Sequence, residues 1–239
     1  MVFVGVAVLA AAVAASAVAV ADRSASAALA PLSEADIELV ATGAGQATVG
    51  IEADTCGGRM AGSGFVAEGR VVTSAHLVEG AAEMLFEGAG LPVRVAVGGT
   101  LHPADLAISA PLTDRTPTSG ATLELASGPP ADGTPVVIVA RVGGRLRWLA
   151  AVARTVAGAA YGAAGPLLVL DRPVAPGWSG GPVVNRSGRV VGVVRAVDAS
   201  VGVTLAELVD QLHVPDQTWR EDDIERPARI SCKSDRPKG

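Results

Sequence analysis

Residues 177–182, Gly-Trp-Ser-Gly-Gly-Pro, form the segment of this sequence with the clearest chemical meaning. A serine hydroxyl that attacks a carbonyl carbon must stand on a tight turn whose backbone N–H groups point at the developing oxyanion. Glycines permit such a turn, and they lack the Cβ atoms that would block the approach of a substrate. The segment therefore predicts a nucleophilic serine at position 179.

Two other segments could supply the groups that assist such a serine. Residues 71–76, Val-Val-Thr-Ser-Ala-His, have the pattern of an apolar strand that ends in a small-residue turn carrying His76. Residues 104–108, Ala-Asp-Leu-Ala-Ile, place Asp105 at the start of an alternating strand. A histidine can take the serine proton and later return it, and a carboxylate can orient the imidazole.

At these three segments the chain resembles the trypsin-like serine peptidases, which have the chymotrypsin fold. Residues 62–76 are similar to the family's GSGF…VTAAH block, residues 105–107 to its DLA block, and residues 177–182 to its G-[DN]-SGGP block. The short separations, 29 residues (105 − 76) and 74 residues (179 − 105), are similar to those of bacterial HtrA-type and membrane-anchored MarP-type proteases. Because 60 residues follow position 179 (239 − 179), we expect no PDZ domain of the HtrA kind.

The resemblance implies an all-β fold of two six-stranded barrels and a role for each motif residue. It implies that Ser179 is the nucleophile, that His76 acts as general base and then as general acid, and that Asp105 orients the imidazole. It also implies that the backbone amides of Gly177 and Ser179 form the oxyanion hole. The resemblance therefore implies a serine endopeptidase, which cuts peptide bonds through an acyl-enzyme intermediate.

The resemblance also predicts where a substrate binds, and the sequence departs from the family there. The strand with Val193, Val194 and Arg195 is similar to the segment against which the family pairs a peptide as an antiparallel strand. Arg195 stands where small or polar residues are common, so it either favours an acidic residue at P1, narrows the pocket, or points to solvent. Trp178 replaces the usual Asp or Asn that braces the serine loop.

Two other readings of the serine segment stay open. It fits the G-x-S-x-G elbow of α/β-hydrolases, but that fold needs a helix after the serine and the order Ser, acid, His. Residues 181–184 instead have the pattern of a strand, and His213 is the one histidine downstream. The second alternative is a non-catalytic relative that binds peptides or acts as a membrane scaffold, and Trp178 is the feature that keeps it open.

The remaining pattern predicts the elements that position these residues. Short β-like runs separated by glycine turns fill residues 46–213, the expected peptidase domain. Residues 22–45 are predicted to be a linker with a helical stretch at 33–40, and residues 204–212 a short C-terminal helix. Residues 214–239 form a charged tail. Aromatic residues make up 3% of the chain, so the core must be aliphatic.

Residues 1–21 predict where the chain resides. Residues 2–21 carry no charge, and 20 helical residues rise about 30 Å, the thickness of a bilayer core. That length favours a transmembrane anchor formed by a hydrophobic N-terminal helix. The Ala-Val-Ala at 19–21 favours a cleaved signal peptide, and an ordinary buried helix is the third alternative. The first two place the peptidase domain outside the cytosol, either anchored in the cell membrane or secreted.

The two cysteines, Cys56 and Cys232, are predicted to form a disulfide in an oxidising compartment, and two unpaired thiols are the alternative. Neither has zinc-type spacing, so we expect no metal and no cofactor. The net charge is −5, and no basic stripe precedes the tail, which argues against a nucleic-acid partner. The expected partners are a peptide or protein substrate and the membrane.

Overall fold

The computed structural model describes residues 30–88, 92–101, 104–113 and 120–213. These residues contain twelve β-strands, one α-helix and three short 3-10 helices. The helix, α1, spans Glu34–Gly45 and precedes the strands. The 3-10 helices span Ala75–Leu77, Gly158–Tyr161 and Val209–His213.

The first six strands close into one antiparallel barrel, barrel 1, in the order β1-β2-β3-β6-β5-β4. They are β1 (Thr48–Thr55), β2 (Gly58–Ala67), β3 (Arg70–Thr73), β4 (Glu83–Glu87), β5 (Val93–Leu101) and β6 (Leu106–Ser109). Its interior contains the few large side chains of this half, among them Ile51, Met84 and Phe86.

The last six strands close into barrel 2, in the order β10-β11-β12-β9-β8-β7. They are β7 (Thr134–Val142), β8 (Arg145–Val156), β9 (Leu167–Leu170), β10 (Pro182–Asn185), β11 (Val190–Asp198) and β12 (Val203–Leu208). The core of barrel 2 is mainly Val, Leu, Ile and Ala, as the scarcity of aromatics requires. Two closed six-stranded barrels confirm the expected all-β architecture.

Helix α1 lies where the sequence predicts a helical stretch at 33–40 within the expected linker, and it continues beyond that stretch to Gly45. Ser33 caps the helix by accepting from the Asp36 amide, and the Asp36 carboxylate accepts from the Ser33 amide in return. Hydrogen bonding to the Asp36 carboxylate, first from the Ser33 side chain and then from the Ser33 amide, holds the pKa of that carboxyl below its usual value. The helix continues to Gly45 because Val40, Ala41 and Ala44 are buried in the core cluster that includes β7.

The predicted C-terminal helix at 204–212 is wrong for most of its length. Residues 203–208 form β12, which pairs with β11 on one side and β9 on the other, and a five-residue 3-10 helix follows. Thr204 to Leu208 are all buried because both faces of this strand are covered. A strand buried on both faces has no apolar–polar alternation, so its leucines mimic helical spacing.

Three predictions fall on residues that the structure does not describe. They are the anchor or signal at 1–21, the charged tail at 214–239, and the disulfide, since Cys232 lies outside the described residues. Cys56 lies exposed in the turn between β1 and β2. Within the described ranges, no helix has both the length and the apolar character needed to cross a membrane.

Candidate active site

His76 lies on the 3-10 helix that follows β3, at the face of barrel 1 turned toward barrel 2. Val71 is buried in the interior of barrel 1 and Val72 in the core cluster that includes barrel 2, which fixes the strand that leads to the histidine. Ser74, also buried, donates its hydroxyl to the carbonyl of Val194 in barrel 2 at 2.7 Å. The small residues before His76 therefore anchor its turn across the two barrels, while its own side chain keeps 39% exposure.

Asp105 contacts His76 directly. Its Oδ2 lies 2.7 Å from His76 Nδ1, and its Oδ1 accepts from the His76 backbone amide at 2.9 Å. The Ala75 amide donates to the Asp105 carbonyl at 3.2 Å. This carboxylate favours a proton on Nδ1, because an ionised carboxylate can only accept hydrogen bonds. Nε2 is then left with a lone pair, as a general base requires.

Ser179 lies in the turn before β10, and glycines on both sides determine the shape of that turn. Gly177 has φ +90° and Gly180 has φ +83°, a left-handed conformation that favours glycine. A Cβ atom at Gly180 would overlap the carbonyl oxygen of Ser63 on β2 and the hydroxyl of Thr73. The serine turn thus sits tightly against barrel 1, and the Ser63 amide donates to the Ser179 carbonyl at 2.7 Å.

The backbone of this turn leaves two amides available beside the serine. The Gly181 amide donates to the Trp178 carbonyl at 2.9 Å, which orients the peptide that carries the Ser179 amide. Ser63 donates its hydroxyl to the Gly177 carbonyl at 2.8 Å. Among the described residues, no acceptor takes a hydrogen bond from the amide of Gly177 or Ser179. Amides left free in this way are what an oxyanion hole requires.

The structure brings Ser179 to the same place as the His76–Asp105 pair without bonding it to the imidazole. The Ser179 hydroxyl lies 3.4 Å from the Arg195 carbonyl, a long hydrogen bond. Gly62 shows how near the two halves are, because a Cβ there would contact both Leu77, the neighbour of His76, and the Ser179 carbonyl. Serine–histidine bonds of this kind are often loose until a substrate binds.

Trp178, the departure from the usual polar brace, is partly buried and packs against the core cluster that barrel 2 shares with α1 and with the adjoining face of barrel 1. The loop is therefore supported by apolar contact and by the two bonds from Ser63, in place of a carboxylate or amide at position 178. Ser63 was a residue that the sequence reasoning did not single out. The signal available was its place in the Gly-Ser-Gly of residues 62–64.

The structure buries Val193 and Val194, two of the three residues predicted to bind the substrate, inside barrel 2. Val193 lies between Pro182 of β10 and Glu207 of β12, and its side chain is fully buried. Val194 uses its amide and carbonyl on Gly181 and Gly180. Neither valine is accessible to a peptide, because β10 and the serine turn already occupy that side of the strand.

The accessible part of β11 begins at Arg195 and extends to Asp198. Ala196 to Asp198 pair with β12 on one side, and no strand in the described part of the chain pairs with them on the other. Arg195 interrupts the register, and its carbonyl faces the Ser179 hydroxyl. Its guanidinium bonds to Glu207 Oε1 at 2.7 Å, so Arg195 neither points freely to solvent nor stands as an unpaired charge.

Two cavities border these residues. One, of about 480 Å³, is lined by His76, Asp105, Glu79 and Arg195, together with Thr100 and alanines. The other, of about 170 Å³, is lined by Gly62, Val142, Gly177 and the Gly143–Gly144 turn among others. No cluster of three or more His, Cys, Asp or Glu in the described ranges could hold a metal ion.

Two closed antiparallel barrels with these motifs define a fold class, that of the chymotrypsin-like peptidases. The sequence profile described as "Trypsin-like peptidase domain" matches residues 62–193, which is 132 of the 239 residues (193 − 62 + 1). The chain therefore belongs to the trypsin-like peptidase family, as the resemblance of its motifs predicts.

One curated relative is the "Probable periplasmic serine endoprotease DegP-like" of Halomonas elongata. It is 30% identical over 142 residues, which cover 56% of this chain and 29% of the relative. The chain thus spans less than a third of the length of this relative.

Solved structures of bacterial proteases share the fold. The inactive form of the Rv3671c protease of M. tuberculosis superposes with a TM-score of 0.62 at 24% identity, covering 80% of this chain and 98% of that one. The active form of the same protease superposes with a TM-score of 0.61 at 23% identity, covering 79% of this chain and 87% of that one. The HtrA-type protease AlgW with a tripeptide superposes with a TM-score of 0.66 at 19% identity, covering 80% of this chain and 65% of that one. The resemblance to MarP-type and HtrA-type proteases is thereby confirmed at the level of the fold.

Proposed function

We propose that the chain is a serine endopeptidase that works outside the cytosol, with His76, Asp105 and Ser179 as its catalytic triad. The observation that carries this proposal is the His76–Asp105 pair, with contacts of 2.7 and 2.9 Å, beside a serine turn in which the Gly177 and Ser179 amides have no acceptor among the described residues. Each of the three residues lies at its expected place in the family motifs.

The proposed reaction starts with proton transfer from Ser179. Its Oγ attacks the carbonyl carbon of the scissile peptide bond while His76 Nε2 takes the hydroxyl proton. Asp105 holds the imidazole by its Nδ1–H and stabilises the cation that forms. The carbonyl oxygen, now negative, accepts from the amides of Gly177 and Ser179.

Collapse of this tetrahedral intermediate breaks the C–N bond. His76 gives its proton to the leaving amine, and the acyl group stays on Ser179 as an ester. A water molecule then repeats the sequence, with His76 taking its proton and returning one to Ser179. The acid product leaves, and the residues regain their starting protonation states.

The substrate is proposed to bind as an added strand on the free edge of β11. Residues 196–198 expose one row of backbone groups there, and an extended peptide can pair with such an edge. Arg195 would lie at the start of that edge, beside the scissile bond. AlgW, which shares the fold, has been solved with a tripeptide and with a decapeptide, which supports a peptide as the ligand class.

An extracytoplasmic location is proposed from residues 1–21 and from the relatives. The uncharged segment at 2–21 fits an anchor or an export signal, and the Halomonas relative is named as periplasmic. In such a compartment a Cys56–Cys232 disulfide would form. Peptide bonds of exported proteins are then the substrate class.

The test is cleavage of an unfolded protein substrate, with new termini identified by mass spectrometry. Wild type should cut it, and Ser179→Ala and His76→Ala should each lower the rate by about 10³-fold or more. Ser187→Ala is the matched control, since Ser187 lies in an exposed turn and bonds to Asn185. Equal cleavage by wild type and Ser179→Ala would refute the proposal, and no cleavage by folded wild type would favour the non-catalytic relative.

A further inference from the structure

Glu207 is the one charged side chain that is fully buried in the described part of the chain, with 2% of its surface exposed. It lies on β12, in a region of sequence that gives no sign of a functional residue. Removing a carboxylate from water is costly unless hydrogen bonds and an opposite charge compensate it. The hydrogen-bond partners of Glu207 therefore indicate the role of this buried carboxylate.

Glu207 joins barrel 2 to the acid of barrel 1. Its Oε1 accepts from Arg195 at 2.7 Å and from the backbone amide of Asp105 at 3.2 Å. The Asp105 residue is then fixed at three points, because its carboxylate contacts His76 and its carbonyl accepts from Ala75. Of these three, the bond with Glu207 is the one that comes from the other barrel.

Arg195 connects Glu207 to Ser179, the proposed nucleophile. Its carbonyl faces the Ser179 hydroxyl at 3.4 Å, and its guanidinium bonds to Glu207. Its side chain is 24% exposed and lines the same cavity as His76 and Asp105. One residue therefore contacts Ser179 through its backbone and, through Glu207, the backbone of Asp105.

We propose that Arg195 and Glu207 are a positioning pair, which holds Asp105 in register with Ser179 and balances the charge around His76. The proposal rests on the function proposed above and deepens it. Neither side chain touches the atoms that react, so the pair acts through Asp105, through the Arg195 carbonyl that faces the Ser179 hydroxyl, and through the electrostatic field at the imidazole.

The charge balance makes a prediction that a purely structural role does not. Among the described residues, the charged groups that face His76 are Asp105 on barrel 1, Glu79 after the 3-10 helix, and the pair Arg195 and Glu207 on barrel 2. Loss of the Glu207 charge leaves a cation near the imidazole and disfavours its protonation. Loss of the Arg195 charge leaves an anion and favours it.

The experiment measures the titration of His76 by NMR in the full chain, alongside the acidic limb of kcat/KM. The chain has three histidines, so His76→Gln assigns the resonance. We expect the titration midpoint to fall by about half a pH unit in Glu207→Gln and to rise by about as much in Arg195→Met. The His76 midpoint in Arg195→Lys, which keeps the positive charge, should stay near its wild-type value.

Two further variants keep the test decisive. The double variant Arg195→Met/Glu207→Leu replaces the pair with apolar groups, which folded proteins often tolerate. The double variant should restore the titration midpoint of His76 to its wild-type value, because both charges are removed together. It should still lower kcat by about tenfold, with KM within about threefold of wild type, because the bond to the Asp105 amide is lost. Arg189→Met is the control, because Arg189 pairs with Glu124 on the exposed surface.

The outcomes separate this proposal from the proposed function. Opposite shifts in the two single variants support the pair, even if the protein cuts no peptide, in which case the proposed function alone fails. Shifts of the same sign, or no shift in folded single variants, would overturn the pair while wild-type cleavage still stood. A double variant with wild-type kcat would overturn its role in positioning.

Discussion

The two barrels hold their halves of the proposed site in different ways. Barrel 1 carries His76 and Asp105, which are bonded to each other by two contacts within that barrel. Barrel 2 carries Ser179 on a glycine turn whose position depends on hydrogen bonds from barrel 1, chiefly those of Ser63. The His76–Asp105 pair is thus assembled within one barrel, whereas Ser179, the proposed nucleophile, is positioned by the interface between the barrels.

Arg141 strengthens that interface. It lies on β7, and its guanidinium donates to the carbonyl of Thr48, the first residue of barrel 1, at 2.9 Å. It also donates to the carbonyl of Gly45, the last residue of α1, at 3.1 Å. Its backbone amide donates to the Ser63 hydroxyl at 3.0 Å, the same hydroxyl that bonds to Gly177. Arg141 and Ser63 therefore connect the start of barrel 1 to the serine turn.

The largest effect is expected from Asp105→Asn, which breaks the local pair. The asparagine keeps the shape but can no longer hold the Nδ1–H tautomer as a charged acceptor, so kcat should fall by about 10⁴-fold at neutral pH. Steady-state kinetics on a peptide substrate measure it. Asp132→Asn is the control, because Asp132 bonds to the Thr155 amide far from the site. A loss below about tenfold would contradict the role of Asp105.

Arg141→Met tests the interface and should destabilise the fold most among the remaining changes. It leaves the Thr48 and Gly45 carbonyls without their charged donor, which costs about 2–3 kcal/mol. A protein of this size should then melt about 4–10 °C lower in calorimetry. Arg147→Met, on the exposed face of β8, should melt like wild type. Equal melting temperatures of the two variants would show that Arg141 does not join the barrels.

Ser63→Ala removes the side-chain support of the serine turn and keeps the backbone bond to Ser179. The Gly177 carbonyl loses its donor, so the oxyanion hole is less well ordered, at a cost of about 1–2 kcal/mol. We expect kcat to fall by about tenfold, with KM changed by less than about threefold. The rate of fluorophosphonate labelling should fall in parallel. A rise in KM with kcat unchanged would assign Ser63 to substrate binding instead.

Ser33→Ala is the smallest change and separates stability from activity. It removes the cap of α1, which costs about 1 kcal/mol. The helix packs on the outside of the barrels, so the melting temperature should drop by about 2–4 °C while kcat stays at the wild-type value. A fall in kcat comparable to that of Ser63→Ala would mean that stability, and not the interface, controls the serine turn.

The sequence predicted the fold where motifs and turns carried the signal, and it missed what depends on contacts between distant residues. Glycine turns and β-like runs indicated a chain of short strands, and the resemblance of three motifs to the trypsin-like peptidases implied that these strands form two barrels. The strand β12 was misread because burial on both faces removes the alternation on which strand prediction depends. The same burial concealed Glu207, whose partners Arg195 and Asp105 lie 12 and 102 residues away.

The site shows the same division. His76, Asp105 and Ser179 stand in local motifs, and their neighbourhood could be predicted from the order of those motifs. The accessible part of the proposed substrate strand could not be predicted, because only the pairing of β10 as far as Val193 shows where the free edge of β11 begins. Trp178 replaces the family's usual polar brace in the sequence, and the structure shows it partly buried against the core cluster that barrel 2 shares with α1 and the adjoining face of barrel 1.

The central claim, that Ser179 is a nucleophile activated by His76, is tested most directly by a fluorophosphonate probe. The Ser179 Oγ would form a bond to phosphorus, fluoride would leave, and His76 would take the hydroxyl proton. We predict that mass spectrometry of the labelled wild type finds the probe on Ser179, with none on Ser179→Ala and slow labelling of His76→Ala. A folded wild-type protein that takes no label, or takes it on another serine, would contradict the account.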